Sequence, residues 1–349
     1  MREQTRGLDM APRSKGGQMI DEIHSNVKGR IDLSLHSPYN LIIGRNGSGK
    51  SAIMHSIELA AFDTAFDAAG KDVKQKGALE RLAPRGAKLH STLYVDGEEV
   101  CWGDRSDRFD NVVAMAMHAL TGSTASLMEF LLEHIDDDNH PIDLNIPGWQ
   151  ARVKHHGSYR KALLEMSRGT ASAIRSHQSR LRELNVVQGF FDEGYGGGAP
   201  VEIINDKHGL EEDIRRAKEL KKQIDAEALR FIRGSFSTVE AHINRYLPEE
   251  IGRAEFCELS EREFRLSLNG TVVIPSGVET VALAVALAGA LLSGPRSLFI
   301  LPDRAYDPVT LGWIMRALRN VECAGAFVQT TVLPEGYDFM SLGWDLVRV

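Results

Sequence analysis

One short stretch limits the possible folds of this chain more than any other part of the sequence. Residues 40–51 read NLIIGRNGSGKS, in which Gly44, Gly49, Lys50 and Ser51 have the spacing G-x-x-x-x-G-K-[ST]. Glycines at these positions allow a tight turn whose backbone N–H groups bind phosphate oxygens. An apolar run precedes the turn and a helical pattern follows it. The spacing therefore predicts a phosphate-binding strand, loop and helix rather than a chance glycine-rich turn.

The same motif contains candidate ligands for a nucleotide and for a metal ion. Lys50 is expected to place its charge against the β and γ phosphates, and the hydroxyl of Ser51 is expected to bind Mg²⁺. The predicted cofactors are therefore ATP and Mg²⁺. The loop residues predicted to bind the nucleotide are Arg45, Asn46, Gly47, Ser48, Gly49, Lys50 and Ser51.

Composition excludes several other classes of protein. The chain has 349 residues, of which 43% are hydrophobic and 26% charged, and no apolar run reaches the roughly 20 residues that span a bilayer. Residues 1–17 are charged and lack an apolar core, so they predict a flexible tail rather than a secretory signal. The three widely separated cysteines predict neither a disulfide framework nor a zinc site. We therefore expect a cytoplasmic protein, with association with the nucleoid left open.

The middle of the chain has the pattern of a helical hairpin. Residues 158–187 are polar with a helical period, residues 189–200 are rich in glycine, and a second helix is predicted from Leu210 to about Arg233. This second helix carries a heptad-like apolar stripe, interrupted by one lysine, at Leu210, Ile214, Ala217, Lys221, Ile224, Ala228 and Phe231. The pattern predicts an antiparallel, short coiled-coil-like arm, with an ordinary helical subdomain as the alternative.

The order of these segments resembles that of the ABC-type ATPases, in the branch that contains RecF, SMC proteins and the SbcC nuclease ATPases. Besides the phosphate-binding loop, residues 82–95 (LAPRGAKLHSTLYV) look like a conserved segment of that branch, and residues 274–287 (IPSGVETVALAVAL) look like its signature motif with the following helix. The resemblance covers about residues 18–135 and 236–349. It implies an α/β fold: an ABC-type P-loop ATPase head with a helical-hairpin insertion.

The resemblance also implies how two copies of the chain would meet. Ser276, Gly277 and Glu279 match the signature motif, although Val278 departs from the usual glycine. In the family this motif contacts the γ-phosphate held by a second subunit, so a homodimer joined by ATP is expected. A plain capping box, in which Ser276 caps the helix and Glu279 closes the box, is the alternative. Both roles can hold together.

The acidic motif at the other side of the expected site is incomplete. The family strand usually ends in an aspartate and a catalytic glutamate, whereas the strand 297–301 is followed here by Pro302, Asp303 and Arg304. Either Pro302 takes the Mg²⁺ position and Asp303 the base position, or Asp303 takes the Mg²⁺ position and Arg304 replaces the base. Because a base contributes roughly 10²–10⁴ in rate, slow hydrolysis is expected. Asp303 is the candidate metal ligand, and the candidate catalytic residues are Asp303 and Asp307.

Basic residues concentrate in the first helix of the predicted arm. Residues 151–187 contain eight lysines and arginines against two glutamates, in a chain whose net charge is −7. One face of the helix carries Lys161, Arg168, Arg175 and Arg182 at seven-residue spacing. Such a row either follows a phosphate backbone or forms a solvated helix face. With the family resemblance, these four residues are predicted to bind DNA.

The combined interpretation divides the chain and leaves two functions open. The predicted domains are a tail (1–17), an N-terminal lobe (18–150), a helical arm (151–235) and a C-terminal lobe (236–349). The first function is an ATPase that dimerises on ATP and acts on DNA in repair, recombination or replication. The second is a nucleotide-binding scaffold with little turnover that recruits a partner such as a nuclease. A transporter ATPase fits less well, because the arm is present and the usual switch histidine is replaced by the segment 329–331.

Overall fold

A computed structural model describes residues 18–66, 72–73, 76–104, 108–135, 144, 146, 148–191, 200–261, 263–272, 277–336 and 338–349. The predicted tail and Ser276 lie outside the described residues. The chain divides into two compact units. The first comprises residues 1–123, 239–257 and 265–349, and the second comprises residues 124–238 and 258–264. Within the described ranges, no helix combines the length and the apolar composition needed to cross a lipid bilayer.

A five-stranded parallel sheet forms the centre of the first unit. Its strands are β3 (Tyr39–Ile43), β8 (Asp110–Asn111), β12 (Ser297–Ile300), β13 (Gly325–Thr330) and β14 (Trp344–Arg348), in the spatial order β14-β3-β13-β12-β8. The register pairs Leu41 of β3 with Val328 of β13 and with Leu346 of β14. Strands β12 and β13 are buried along their whole length, as expected for a parallel sheet covered on both faces.

The first unit also contains a second, antiparallel sheet. It contains β1 (Ile20–Ser25), β2 (Ile31–Ser34), β6 (Ser91–Val95) and β7 (Glu98–Cys101), in the order β2-β1-β6-β7. Asp96 and Gly97 form the turn between β6 and β7, as an Asp-Gly pair between two strands predicts, with φ values of 52° and 83°. Helix α1 (Lys50–Phe62) shares one apolar core with residues of both sheets. The first half of the unit also contains the short elements β4 (Ala65–Phe66), β5 (Asp72–Val73) and α2 (Lys76–Glu80).

The remaining elements of the first unit surround an apolar helix. Helix α8 (Val278–Leu291) is buried from residue 280 to residue 289, as its run of alanine, leucine and valine predicts. It contacts α3 (Val112–Thr121) and α9 (Pro308–Leu318). A small sheet has the order β11-β10-β9, built from β9 (Ala254–Ser260), β10 (Glu263–Leu268) and β11 (Thr271–Val272); part of β9 and part of β10 belong to the second unit.

The second unit is helical and contains the predicted hairpin. Its helices are α4 (Thr124–His134), α5 (Trp149–His156), α6 (Tyr159–Phe190) and the first part of α7 (Val201–Tyr246). The ammonium of Lys221 on α7 donates to the hydroxyl of Ser167 on α6 at 3.1 Å. Nearer the start of α7, Lys207 donates to Gln188 near the end of α6 at 3.2 Å. Because the beginning of α7 contacts the end of α6, the two helices are antiparallel, as predicted.

The heptad-like stripe explains why this hairpin packs. The stripe positions that are buried are Leu210, Ile214, Ile224, Ala228 and Phe231. Helix α7 is longer than the sequence predicts, because it begins before Leu210 and continues beyond Arg233, through Gly234, to Tyr246. A glycine costs only about 1 kcal/mol in a helix, and buried Ile232, Val239 and Ile243 around it favour continuation of the helix. The domain boundaries remain a proposal; the compact unit that holds the hairpin spans 124–238 rather than 151–235.

Candidate nucleotide-binding site

The glycines of the predicted phosphate-binding loop are required by its backbone. Gly47 and Gly49 have φ values of 82° and 111°, which side chains other than glycine rarely adopt. Gly44 is required for a different reason: a Cβ there would lie 2.4 Å from the Ser48 hydroxyl and 2.4 Å from the Val349 carbonyl oxygen. Helix α1 begins directly after Gly49. The loop therefore leads into a helix N-terminus, which carries free N–H groups and a positive dipole end.

Lys50, the first residue of α1, is folded into this loop. Its side chain is buried, and its ammonium donates to the carbonyl oxygens of Gly44 at 2.8 Å and Arg45 at 2.9 Å. An ammonium has three N–H donors. Two of them satisfy the loop carbonyls, so the third is free for an anion beside the loop.

A cleft of about 370 Å³ opens next to the loop. On the loop side it is lined by five of the predicted ligands, Asn46, Gly47, Gly49, Lys50 and Ser51. On the other side it is lined by Asp303, Arg304, Ala305, Thr330 and Thr331. These segments meet because β3, β12 and β13 are parallel neighbours, whose carboxyl ends lie at the same edge of the sheet.

Asp303 is the predicted metal ligand that the fold brings to the loop. It follows β12 in a turn that two bonds of Tyr306 hold: the phenol donates to the Pro302 carbonyl at 2.8 Å, and the backbone N–H donates to the Arg304 carbonyl at 3.1 Å. Tyr306 itself is buried, and burial raises the pKa of its phenol. Of residues 302–305, the last three line the cleft. A carboxylate and a guanidinium, on the adjacent residues Asp303 and Arg304, therefore both line the cleft just after β12.

Asp307 has a different position. Its side chain caps helix α9 by accepting a hydrogen bond from the Thr310 backbone N–H at 2.9 Å. Hydrogen bonds from the Thr310 side chain and backbone hold the pKa of Asp307 below its usual value. Asp307 is not among the described residues that line the cleft. The structure therefore gives it the role of a helix cap and does not place it with the other candidate catalytic residue.

The signature residues that the structure describes also lie apart from this cleft. Gly277 precedes α8 in an extended conformation, and Glu279 is exposed in the first turn of that helix. Neither is among the described residues that line the cleft, and Ser276 is outside the described residues. Two loop residues, Arg45 and Ser48, are exposed and are likewise not among the lining residues. The predicted contact with a second subunit stays a prediction.

Sequence reasoning missed Lys28 as a member of the cleft. Lys28 lies in the turn between β1 and β2, with φ of 54° and its side chain exposed. Its backbone N–H donates to the Leu82 carbonyl at 2.6 Å, which fixes the turn. The Lys28-Gly29 pair between two strands signals a turn. No local signal indicates that this turn lies at the cleft beside the phosphate-binding loop, residues 44–51, here called the P-loop.

The predicted DNA-binding residues lie on α6, in the second unit, and all four side chains are exposed. Arg168 differs from the other three, because its guanidinium donates to Glu129 at 2.6 Å and to Glu133 at 3.2 Å. These hydrogen bonds and charges on α4 raise the pKa of Arg168. The row of cations is therefore interrupted at Arg168 by two carboxylates. In the described part of the chain, the contacts of Lys161, Arg175 and Arg182 fit a DNA-binding surface and a solvated helix face equally well.

Comparison with solved structures finds RecF and Smc head domains at low sequence identity. A structure of the recombination mediator protein RecF with ATP, from the RecFOR pathway, has 11% identity and a TM-score of 0.43, covering 90% of this chain and 92% of that one. The Smc head domain of Pyrococcus furiosus, bound to the C-terminal domain of ScpA, has 13% identity and a TM-score of 0.42, covering 93% and 92%. The Smc head domain of Pyrococcus yayanosii has 10% identity and a TM-score of 0.41, covering 89% and 92%.

Comparison of the sequence with protein-family models identifies the family of the chain. No curated protein matches the sequence. The family described as "AAA domain" matches residues 22–249, which is more than half of the chain and includes the P-loop and the helical hairpin. This match confirms the predicted P-loop ATPase fold. The chain belongs to the AAA domain family.

Proposed function

We propose that this chain binds ATP with Mg²⁺ in the P-loop cleft, dimerises through the bound nucleotide, and hydrolyses it slowly while acting on DNA in repair, recombination or replication. The observation that carries the proposal is the meeting of Lys50, Ser51 and Asp303 in one cleft. Lys50 and Ser51 are adjacent, and Asp303 follows Ser51 by 252 positions in the sequence (303 − 51), so their convergence depends on the order of strands in the parallel sheet.

The residues of the cleft fit both cofactors. A Cβ built at Gly47 or Gly49 would meet no atom of the described residues within 4 Å, so the backbone there borders open space, which suits a phosphate chain. The free N–H of Lys50 suits a phosphate oxygen. The hydroxyl of Ser51 and the carboxylate of Asp303 are oxygen donors of the kind that Mg²⁺ prefers, and they would hold it. When bound, Mg²⁺ neutralises charge on the phosphate oxygens.

Slow turnover follows from the residue next to Asp303. A water-activating base at this position is worth roughly 10²–10⁴ in rate, and Arg304 cannot act as a base because it stays protonated. The remaining residues of the cleft bind and orient a nucleotide: Lys50 contacts phosphate, and Asp303 holds the metal. We therefore infer a site that binds well and turns over slowly.

The second candidate function is a scaffold whose ATP-bound form recruits a partner such as a nuclease. The Asp303-Arg304 pair favours it, since a site without a second carboxylate serves binding better than hydrolysis. The two candidates differ in the role of DNA. An ATPase that acts on DNA should bind it through Lys161, Arg175 and Arg182 and should alter its turnover when DNA is added, whereas a scaffold should show neither effect. A cytoplasmic location is part of both proposals.

The test measures the mass of the protein in solution and its rate of ATP hydrolysis. Light scattering after gel filtration, without nucleotide, with ADP and with ATP, should show a doubling of mass only with ATP. Phosphate release with and without DNA then separates the two candidates. Asp303→Asn should lower turnover at least tenfold, because it weakens the metal ligand, at a cost of about 1.4 kcal/mol or more. An unchanged mass in ATP, with binding shown by titration, would refute dimerisation through the nucleotide.

A further inference from the structure

The charges that line the P-loop cleft do not balance. Lys28, Lys50 and Arg304 bring three positive charges to it, and Asp303 brings the one negative charge among the described lining residues. Lys50 is bonded to carbonyl oxygens rather than to a carboxylate. The cleft therefore carries a formal excess of two positive charges, which favours a polyanion.

Arg304 is the member of this set whose role the family resemblance leaves unexplained. It lines the cleft directly after Asp303, and its Nε atom is buried without a hydrogen-bond partner in the described part of the chain. Burying a charged donor without a partner is costly. A guanidinium presents its N–H groups in a planar fork that matches phosphate oxygens. The buried, unsatisfied donor indicates that an acceptor enters the cleft from solution.

The backbone around Arg304 is fixed independently of its side chain. The Arg304 carbonyl accepts from the Tyr306 N–H, and the Tyr306 phenol donates to the Pro302 carbonyl. The side chain takes part in neither bond. A change of the Arg304 side chain therefore leaves the bonds that shape the turn in place, so that its effect on binding can be measured separately from its effect on folding.

The position of Arg304 across the cleft from Lys50 suggests which part of the nucleotide it contacts. Lys50 belongs to the loop that holds the inner phosphates. Arg304 lies on a separate segment of the cleft, directly after the candidate metal ligand Asp303, and a metal ion in such sites bridges the inner and the terminal phosphate. We propose that Arg304 is a specificity-determining residue that binds the terminal phosphate of a nucleoside triphosphate, so that the site prefers a triphosphate to a diphosphate. This proposal rests on nucleotide binding in the P-loop cleft, as proposed above.

The consequence is a site that distinguishes ATP from ADP by charge pairing. A diphosphate leaves the Arg304 guanidinium without its partner, whereas a triphosphate satisfies it. Removing one charged partner of a hydrogen bond changes affinity by about tenfold to a hundredfold. The preference for ATP over ADP should fall by that factor when Arg304 is replaced, with little change in the affinity for ADP.

The experiment measures the ratio of the Kd for ADP to the Kd for ATP, with Mg²⁺, by titration of the full chain with fluorescent nucleotide analogues. The variants are Arg304→Met, which removes the charge, and Arg304→Lys, which keeps it without the fork. Arg245→Met is the matched control, because Arg245 is an exposed arginine of the same unit and is not among the lining residues. Circular dichroism with thermal melting verifies that each variant is folded.

The expected result is a ratio reduced at least tenfold in Arg304→Met, an intermediate ratio in Arg304→Lys and the wild-type ratio in Arg245→Met. A wild-type ratio near one, or a ratio unchanged in Arg304→Met, would overturn the proposal about Arg304 while nucleotide binding stands. If Arg304→Met does not fold, an unchanged ratio in Arg304→Lys overturns it instead. If the wild-type chain binds neither nucleotide, the proposed function fails together with this inference.

Discussion

Replacement of Lys50 by methionine tests the centre of the proposed site, and the structure predicts two separate effects. The first is on stability. The ammonium donates to the carbonyl oxygens of Gly44 and Arg45, and both bonds disappear in the variant. Arg45 is exposed and the loop borders a cleft, so water can replace part of the loss. We expect the free energy of unfolding to fall by about 1–3 kcal/mol.

The second effect is on nucleotide affinity. A charge-assisted hydrogen bond from the remaining N–H of Lys50 to phosphate contributes about 1.5–3 kcal/mol. At about 1.4 kcal/mol per factor of ten, the Kd for ATP should rise at least tenfold. Isothermal titration with ATP and Mg²⁺ measures the affinity, and urea unfolding followed by circular dichroism measures the stability.

Lys28→Met is the matched control, because Lys28 lines the same cleft but has an exposed side chain. The hydrogen bond that fixes its turn comes from the backbone N–H, which methionine retains. Its stability should be that of the wild type, and its affinity loss should be smaller than that of Lys50→Met. An unchanged ATP affinity in Lys50→Met would refute the assignment of the P-loop. Equal stability losses in the two variants would refute the structural role of the Lys50 ammonium.

Three further substitutions test other parts of the site. Ser276→Arg should leave ATP affinity near the wild-type value and block the ATP-dependent doubling of mass; a variant that still dimerises would leave Ser276 with a helix-capping role alone. Asp307→Ala should lower the free energy of unfolding by about 1 kcal/mol, because the helix cap is lost, and should leave ATP turnover within twofold of the wild type. The pKa of Asp307 is lower in the folded state than in the unfolded state. Its contribution to stability is therefore present above the unfolded-state pKa and disappears as the pH falls through the folded-state pKa. Arg304→Glu should raise turnover per bound ATP at least tenfold, measured as phosphate release at saturating ATP, and an unchanged rate would show that the arginine does not cause slow hydrolysis.

The sequence predicted the local parts of the site because their geometry is determined within a few residues. The P-loop needs Gly44 for close approach and Gly47 and Gly49 for positive φ, and these requirements are visible in the motif. The hairpin turn at Asp96-Gly97 is predictable for the same reason. In both cases a backbone conformation restricts the residue type directly, so the pattern and the structure agree.

The parts of the site that the sequence did not predict are formed by segments that are far apart in the sequence and close together in the fold. Lys28 belongs to the turn after β1, and the structure brings that turn to the cleft. Thr330 and Thr331 reach the cleft through the register of β13 against β3, which pairs Thr330 with Ile43. Asp307 shows a different case. An aspartate before Pro308 has the pattern of an N-cap, and the structure gives Asp307 this local role, while its catalytic role stays a prediction.

The proposed DNA contact on α6 can be argued further, because the structure makes its four cations unequal. Arg168 is held by Glu129 and Glu133, so a phosphate would have to displace two carboxylates to reach it. Lys161, Arg175 and Arg182 are exposed, and seven-residue spacing separates the last two by about 10 Å along the helix. We therefore expect three effective phosphate contacts rather than four.

The difference between Arg168 and the other three cations leads to a prediction that can be measured. Three neutralised phosphates imply a slope of log K against log salt of about −2.7 on duplex DNA, since each contributes about −0.9. The triple variant Lys161→Glu, Arg175→Glu and Arg182→Glu should lose DNA binding in a fluorescence anisotropy assay and keep the wild-type ATP affinity. Arg168→Gln is the matched control, because it should leave the salt slope unchanged while exposing two unpaired glutamates on α4. If Arg168→Gln reduces the slope by about one, the guanidinium leaves its carboxylates for DNA; if the triple variant binds DNA as the wild type does, α6 is not a DNA-binding surface and the scaffold function is favoured.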